Sequence, residues 1–125
     1  MADRRRLWLA AAGIGGAASV ILAAASAHLA ASGAQPNIDL ASRFLMFHAL
    51  ALIGIATLTR AYDGRWLTFA GSLFIIGTLC FSGGLCLAAL VDHALVPLVP
   101  VGGTILILGW IALIVAGFTI RGRRE

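Results

Sequence analysis

Apolar and polar positions separate along this chain into four long apolar runs divided by short polar stretches. The runs extend from about Leu7 to Ala31, Ala41 to Thr59, Trp66 to Val91 and Leu98 to Ile120. Each is near or above the ~20 residues that an α-helix needs to cross a bilayer. Between them lie Ser32 to Asp39, Arg60 to Arg65, and Asp92-His93-Ala94 leading to Pro97, all short and rich in turn residues. Helices joined so tightly pack as antiparallel neighbours. The pattern therefore predicts an all-α membrane protein: a four-transmembrane-helix up-down bundle, a single transmembrane domain over residues 1–125.

Composition changes the solvent of the argument from water to lipid. Of 125 residues, 61% are hydrophobic and 11% charged, which leaves too little polar surface for a soluble domain. The net charge of +4 does not point to nucleic acid, because the basic residues are all arginines at the ends of apolar runs, with no aromatic residues interleaved in a polar stretch. Their placement reads as orientation. In a four-span chain Arg4, Arg5, Arg6, Arg60, Arg65, Arg121, Arg123 and Arg124 fall on one side and only Arg43 on the other. Positive flanks stay cytoplasmic, so both termini are expected in the cytoplasm, as in a multi-pass protein of a bacterial cytoplasmic (inner) membrane. Asp3-Arg4-Arg5-Arg6, an apolar stretch and Ala25-Ser26-Ala27 also resemble a signal peptide whose cleavage would leave three spans. The apolar stretch exceeds the usual length for that role, and the first span is expected to be retained.

Lipid is as apolar as leucine, so helices in it associate by close packing of small residues. Ala12, Gly16, Ser19, Ala23, Ser26 and Ala30 recur at spacings of three and four on the first span. The third offers Ala70, Gly77 and Gly84, and the fourth Gly102, Gly109, Ala112, Ala116 and Thr119. Gly16, Ser19, Gly77, Gly84, Gly102 and Gly109 are the expected packing positions. Cys80 and Cys86 are six apart on one run, on different helix faces, and read as small apolar fillers.

No Asp, Glu or Arg stands well inside an apolar run, which argues against an ion or proton relay. The remaining polar residues gather towards the outer end: His28, Asp39, Arg43, His48, Asp92 and His93. His48 lies deepest, about 10 Å inside the start of its run at 1.5 Å per residue. One reading joins His28 and His48, with Arg43 nearby, in a site for a lipid, quinone, metal or haem. The other gives His48 a neutral ring hydrogen-bonded across helices, towards the first or third span. Asp39 and Arg43 are spaced as a helical ion pair, and Asp39 is also placed to cap the second span. Neither a nucleophile beside a base, nor paired carboxylates, nor a full metal-ligand set is visible, so no enzyme, cofactor or metal site is expected.

Several blocks resemble a known family. Ala24 to His28, Arg43-Phe44, Phe47 to Leu52, Phe81 to Leu85, Pro100 to Gly103 and Gly109-Trp110 are similar, in this order, to motifs of the small membrane proteins of domain of unknown function 423. The resemblance implies four spans and an uncleaved first helix, and carries no established activity, substrate or cofactor. Leu45, Gly84 and Cys86 depart from it, standing where the family often has Gln, Ser and Tyr. The leading functional expectation is a non-catalytic accessory or scaffold subunit or a small homo-oligomer, whose partners are membrane lipids and other membrane proteins, not nucleic acid. A ligand-binding or transport protein with a site near His28 and His48 is the alternative.

Overall fold

The computed structural model describes residues 2–28, 33–90 and 97–122. It contains α1 (Ala2–His28), α2 (Gln35–Ala61), β1 (Tyr62–Asp63), α3 (Arg65–Leu90), α4 (Leu98–Thr119) and β2 (Arg121–Gly122). All four helices are long and apolar enough to cross a membrane. Ala30, the last member of the seam expected on the first span, and Asp92, His93, Arg123 and Arg124 lie outside the described residues.

Two helices start well before their apolar runs. α1 carries the arginines Arg4 to Arg6 on its first turns, a residue type that propagates a helix readily. α2 starts at Gln35 rather than near Ala41, with Pro36 in its first turn, where a missing N–H costs least. Asp39 is consequently inside the helix; the N-cap position belongs to Ala34, which makes no side-chain cap bond. The cap expected of Asp39 is not made. Its ion pair with Arg43 is, at 2.9 Å between exposed side chains, a geometry worth little in stability.

Each helix packs on its neighbours in sequence, whereas α1 and α4 form no packed pair among the described residues. The bundle is thus an open row with α2 and α3 central. Side-chain contacts run antiparallel at every step. Along α1 and α2, Ser19 meets Ser42 and Ser26 meets the carbonyl of Gln35. Along α2 and α3, Ser82 meets Ala41 and Phe74 meets His48.

The seam between α3 and α4 is the tightest. A Cβ placed on Gly77 would stand 2.7 Å from Leu106, one on Gly109 2.7 Å from Phe74, and one on Gly84 3.0 Å from Val99, while one on Gly102 would run into the backbone of Phe81. Glycine is required here because the backbones approach closer than any side chain permits. On α1, Ser19 is buried and central to the contact with α2, but a Cβ on Gly16 would meet nothing within 4 Å. Its neighbour Gly15 faces α2 instead, where an added Cβ would stand 3.6 Å from Ala49, and Ala23 is exposed. The α1 contact keeps Ala12, Ser19 and Ser26 of the seam drawn from small residues, all buried, and departs from it between them, because Ala and Gly are so frequent on this helix that composition does not mark every facing position.

At one end of the bundle the start of α1 meets the end of α2, where Arg5, Arg6 and Arg60 border a shallow cavity with Leu9, Ala56 and Thr57. Arg65 opens α3 at this end, and Arg121 pairs in β2 with Asp63 of β1, tying the end of α4 to the α2–α3 connection. This two-residue ladder is invisible in the apolar pattern. Arg43 lies at the opposite end, on α2. The outward surface is apolar, with Phe118 88% and Leu90 81% exposed, a surface suited to lipid rather than water.

Candidate functional site

His48 is the central residue of α2, about 20 Å from its first residue at 1.5 Å per residue, because the helix begins six positions before the apolar run does. It is buried, at 4% exposure. Its Nδ1 lies 2.7 Å from the carbonyl oxygen of Phe44, one turn earlier on the same helix. Trp110 of α4 donates its Nε1–H to His48 Nε2 at 3.3 Å. A carbonyl only accepts and an indole N–H only donates, so the two bonds together specify a neutral imidazole protonated at Nδ1.

Three helices build this layer. Phe74 of α3 presents its ring to His48, centroids 5.2 Å apart and nearly edge-on, and lies 4.9 Å from Trp110. Phe44 stacks above it at 5.9 Å and packs on Phe81 at 4.4 Å. The bond from His48 thus reaches the fourth helix, past α3, and not the first or third as the sequence suggests. Trp110 stands mid-helix, away from the ends where tryptophan is usual, and although it is 45% exposed, an indole N–H in lipid needs an acceptor. That was the signal in the sequence; the partner was not.

The joint site of His28 and His48 is not formed. His28 is the exposed last residue of α1. In the register set by Ser19 and Ser42, His48 is level with Gly13, which places it about 22 Å along the bundle from His28 at 1.5 Å per residue. Arg43 is engaged with Asp39 and exposed, towards the end of α2. Both imidazole nitrogens of His48 are occupied, so a metal or haem iron would have to displace Trp110. Among the described residues no group of three His, Cys, Asp or Glu side chains stands together to hold a metal ion. Cys80 and Cys86 are free and half-buried.

Ser19, Ser42 and Ser82 spend their buried hydroxyls on cross-helix bonds. Ser19 Oγ donates to the carbonyl of Ser42 and Ser42 Oγ to the carbonyl of Ser19, each at 2.9 Å, a reciprocal clasp that draws α1 onto α2. Ser82 Oγ of α3 donates to the carbonyl of Ala41 at 3.1 Å. Adjacent carbonyls of α2 therefore accept from helices on either side. Each such bond contributes roughly 0.6 kcal/mol in a membrane.

Between α1 and α3, on the surface of α2, lies a cavity of about 410 Å³ with an almost wholly apolar lining. α1 and α3 meet where the ring of Trp8 lies on Gly71, and otherwise stand apart. Leu45 and Cys86, two of the departures from the family pattern, are on its wall.

The sequence profile of a family described as "Protein of unknown function (DUF423)" matches residues 22–103. The chain is 34% identical to a UPF0382 membrane protein of Haemophilus influenzae over 73% of each chain. It is 33% identical to a UPF0382 membrane protein of Staphylococcus aureus, over 86% of this chain and 94% of that one. It is 31% identical to the UPF0382 inner membrane protein YgdD of Escherichia coli, over 93% and 92%. No solved structure matches it.

Proposed function

This chain belongs to the DUF423 family of small membrane proteins, and on that premise we propose that it is a non-catalytic protein of the bacterial inner membrane. It serves there as an accessory or scaffold subunit of a larger membrane assembly, or as a small homo-oligomer, with both termini in the cytoplasm. The observation that carries this reading is the use made of the polar groups at mid-depth. His48 is saturated by Phe44 and Trp110, and Ser19 and Ser42 by each other, so these groups hold the bundle together rather than face a reactant. The open row of helices supports it further: α1 and α4 are each packed along one side only, leaving long apolar faces for a neighbour.

The test is the mass of the particle in native membranes. Extraction into lipid-bearing polymer discs followed by native mass spectrometry is expected to give a fixed multiple of the chain, or the chain with a partner in constant ratio. A particle of one chain alone, unchanged across protein densities in the disc, would overturn the proposal.

A further inference from the structure

We propose that the shallow cavity between the start of α1 and the end of α2 holds the headgroup of an anionic phospholipid of the phosphatidylglycerol class, taken from the leaflet around it. The site does not depend on the accessory reading. Arg5 and Arg6 stand early in α1 with Leu9 one turn further in, and Arg60 stands in the last turn of α2 with Ala56 and Thr57 one turn further in. The cavity they border measures about 340 Å³. Among the described residues no acidic side chain lines it. Arg6 and Arg60 are exposed and Arg5 is half-buried, so all three present surface to a ligand.

Charge decides what the occupant carries. α1 begins and α2 ends here, so their helix-end partial charges, about half a unit each and opposite in sign, offset one another. The arginines are not offset. Three guanidinium groups around one small cavity repel each other, and an anion set among them replaces that repulsion with attraction. Arginine presents paired N–H donors that match phosphate oxygens. The Thr57 hydroxyl is spent on the carbonyl of Ile53, at 2.9 Å, so the arginines supply the polar contacts. Arg43, at the other end of the bundle, is already paired with Asp39. Position decides the rest of the occupant. The apolar residues begin one turn inside the arginines, at the level where headgroups meet hydrocarbon. On this face Leu9 and Ile53 are 53% and 45% exposed, and a Cβ on Gly13, one turn beyond Leu9, would meet nothing within 4 Å. An open apolar strip thus leads from the arginines into the hydrocarbon, along which the acyl chains of a lipid lie and which a free phosphate would leave bare. A zwitterionic headgroup fits worse, because its ammonium would enter a cluster of cations.

The experiment counts lipids retained by the whole protein in native mass spectrometry from a neutral detergent, with dioleoyl phosphatidylglycerol and dioleoyl phosphatidylethanolamine titrated separately. One phosphatidylglycerol per chain is expected to bind, at least about tenfold more tightly than phosphatidylethanolamine. Arg6→Gln and Arg60→Gln should each weaken phosphatidylglycerol by about fivefold, the effect of one arginine on an anionic lipid, and leave phosphatidylethanolamine unchanged. Arg65→Gln removes the same charge at the same end of the bundle but from outside the cavity, and should change neither. It separates a site from the general attraction of a basic end for anionic lipid. Inorganic phosphate at millimolar concentration, with ionic strength held constant, should not displace the lipid, and melting of each variant in detergent reports its folding. Equal binding of the two lipids, equal losses in Arg65→Gln and Arg60→Gln, an unaltered phosphatidylglycerol affinity in both folded cavity variants, or displacement by inorganic phosphate would overturn the proposal.

Discussion

His48 and Trp110 show how one pair of side chains narrows what a buried histidine can do. A histidine inside a membrane helix is costly unless it is paired, and the pairing decides what else it can do. Here Nδ1 donates to Phe44 and Nε2 accepts from Trp110, so the ring is held in one tautomer and one orientation. Replacing His48 with Gln, which can still donate and accept, is expected to cost less stability than His48→Ala. The alanine variant should lose about 1–2 kcal/mol, the sum of a membrane hydrogen bond and the packing of a buried ring. Trp110→Phe keeps a ring but removes the donor, and should lose about 0.6 kcal/mol. Thermal melting in mild detergent, followed by circular dichroism, reads all three. If His48→Gln and His48→Ala melt together, the hydrogen bonds contribute nothing and only ring packing matters.

Among the elements, the α3–α4 hairpin is set by where glycine is obligatory and where it is merely present. Gly102 and Gly103 are neighbours in sequence and differ in what surrounds them. A Cβ on Gly102 would collide with the Phe81 backbone, which cannot move without displacing α3, whereas one on Gly103 would rest 3.6 Å from the Phe81 ring in ordinary contact. Gly102→Ala should therefore destabilise by about 1–3 kcal/mol, the cost of forcing extra volume into a packed seam, and Gly103→Ala by less than 0.5 in the same melting assay, on the order of a tolerated surface change. The reverse order would mean the register between α3 and α4 is wrong by one residue. At the α1–α2 hairpin, Ser19→Ala and Ser42→Ala each remove half of the reciprocal clasp. Their double-mutant cycle should show coupling of about 0.5 kcal/mol or more, because the two hydroxyls also lie 3.4 Å from each other and share one close approach. Strict additivity of the two losses would mean that the serines pack without communicating.

On the scale of the whole molecule, the gathering of arginines at one end is both a structural fact and an expectation about direction. Arg5, Arg6, Arg60, Arg65 and Arg121 share one end of the bundle, and Arg43 lies at the other. Positive flanks are held on the cytoplasmic side, so single-cysteine labelling at Asp63 and Glu125 should report cytoplasm, and at Pro36 and Ala94 the opposite side. Opposite compartments for Asp63 and Glu125 would break the expected orientation. The same open row that leaves α1 and α4 without a packed pair also leaves the cavity between α1 and α3 open at the side.

Four helices of membrane-spanning length, the family, the arginine-flanked ends and the glycine-rich positions of α3 and α4 were all legible in the sequence. They depend on local quantities: length of apolar run, charge at its ends and absence of a side chain. Ser19 was legible for the same reason, as a small polar residue on a small-residue face. What required the tertiary structure was everything decided by register and facing. The six extra residues at the start of α2 moved His48 from near one surface to mid-depth and separated it from His28. The side of α1 that faces α2 passes through Gly15, which a helix about half Ala and Gly does not announce. Phe44, Phe74, Phe81 and Trp110 are spread over three helices and converge only because the antiparallel seams bring them to one layer. Thr78, unlike Thr57, Thr104 and Thr119, is left without a hydrogen-bond partner. Hydropathy is a property of each residue and survives in one dimension; hydrogen-bond partners and cavities belong to pairs and triples of helices, and exist only once those helices have packed.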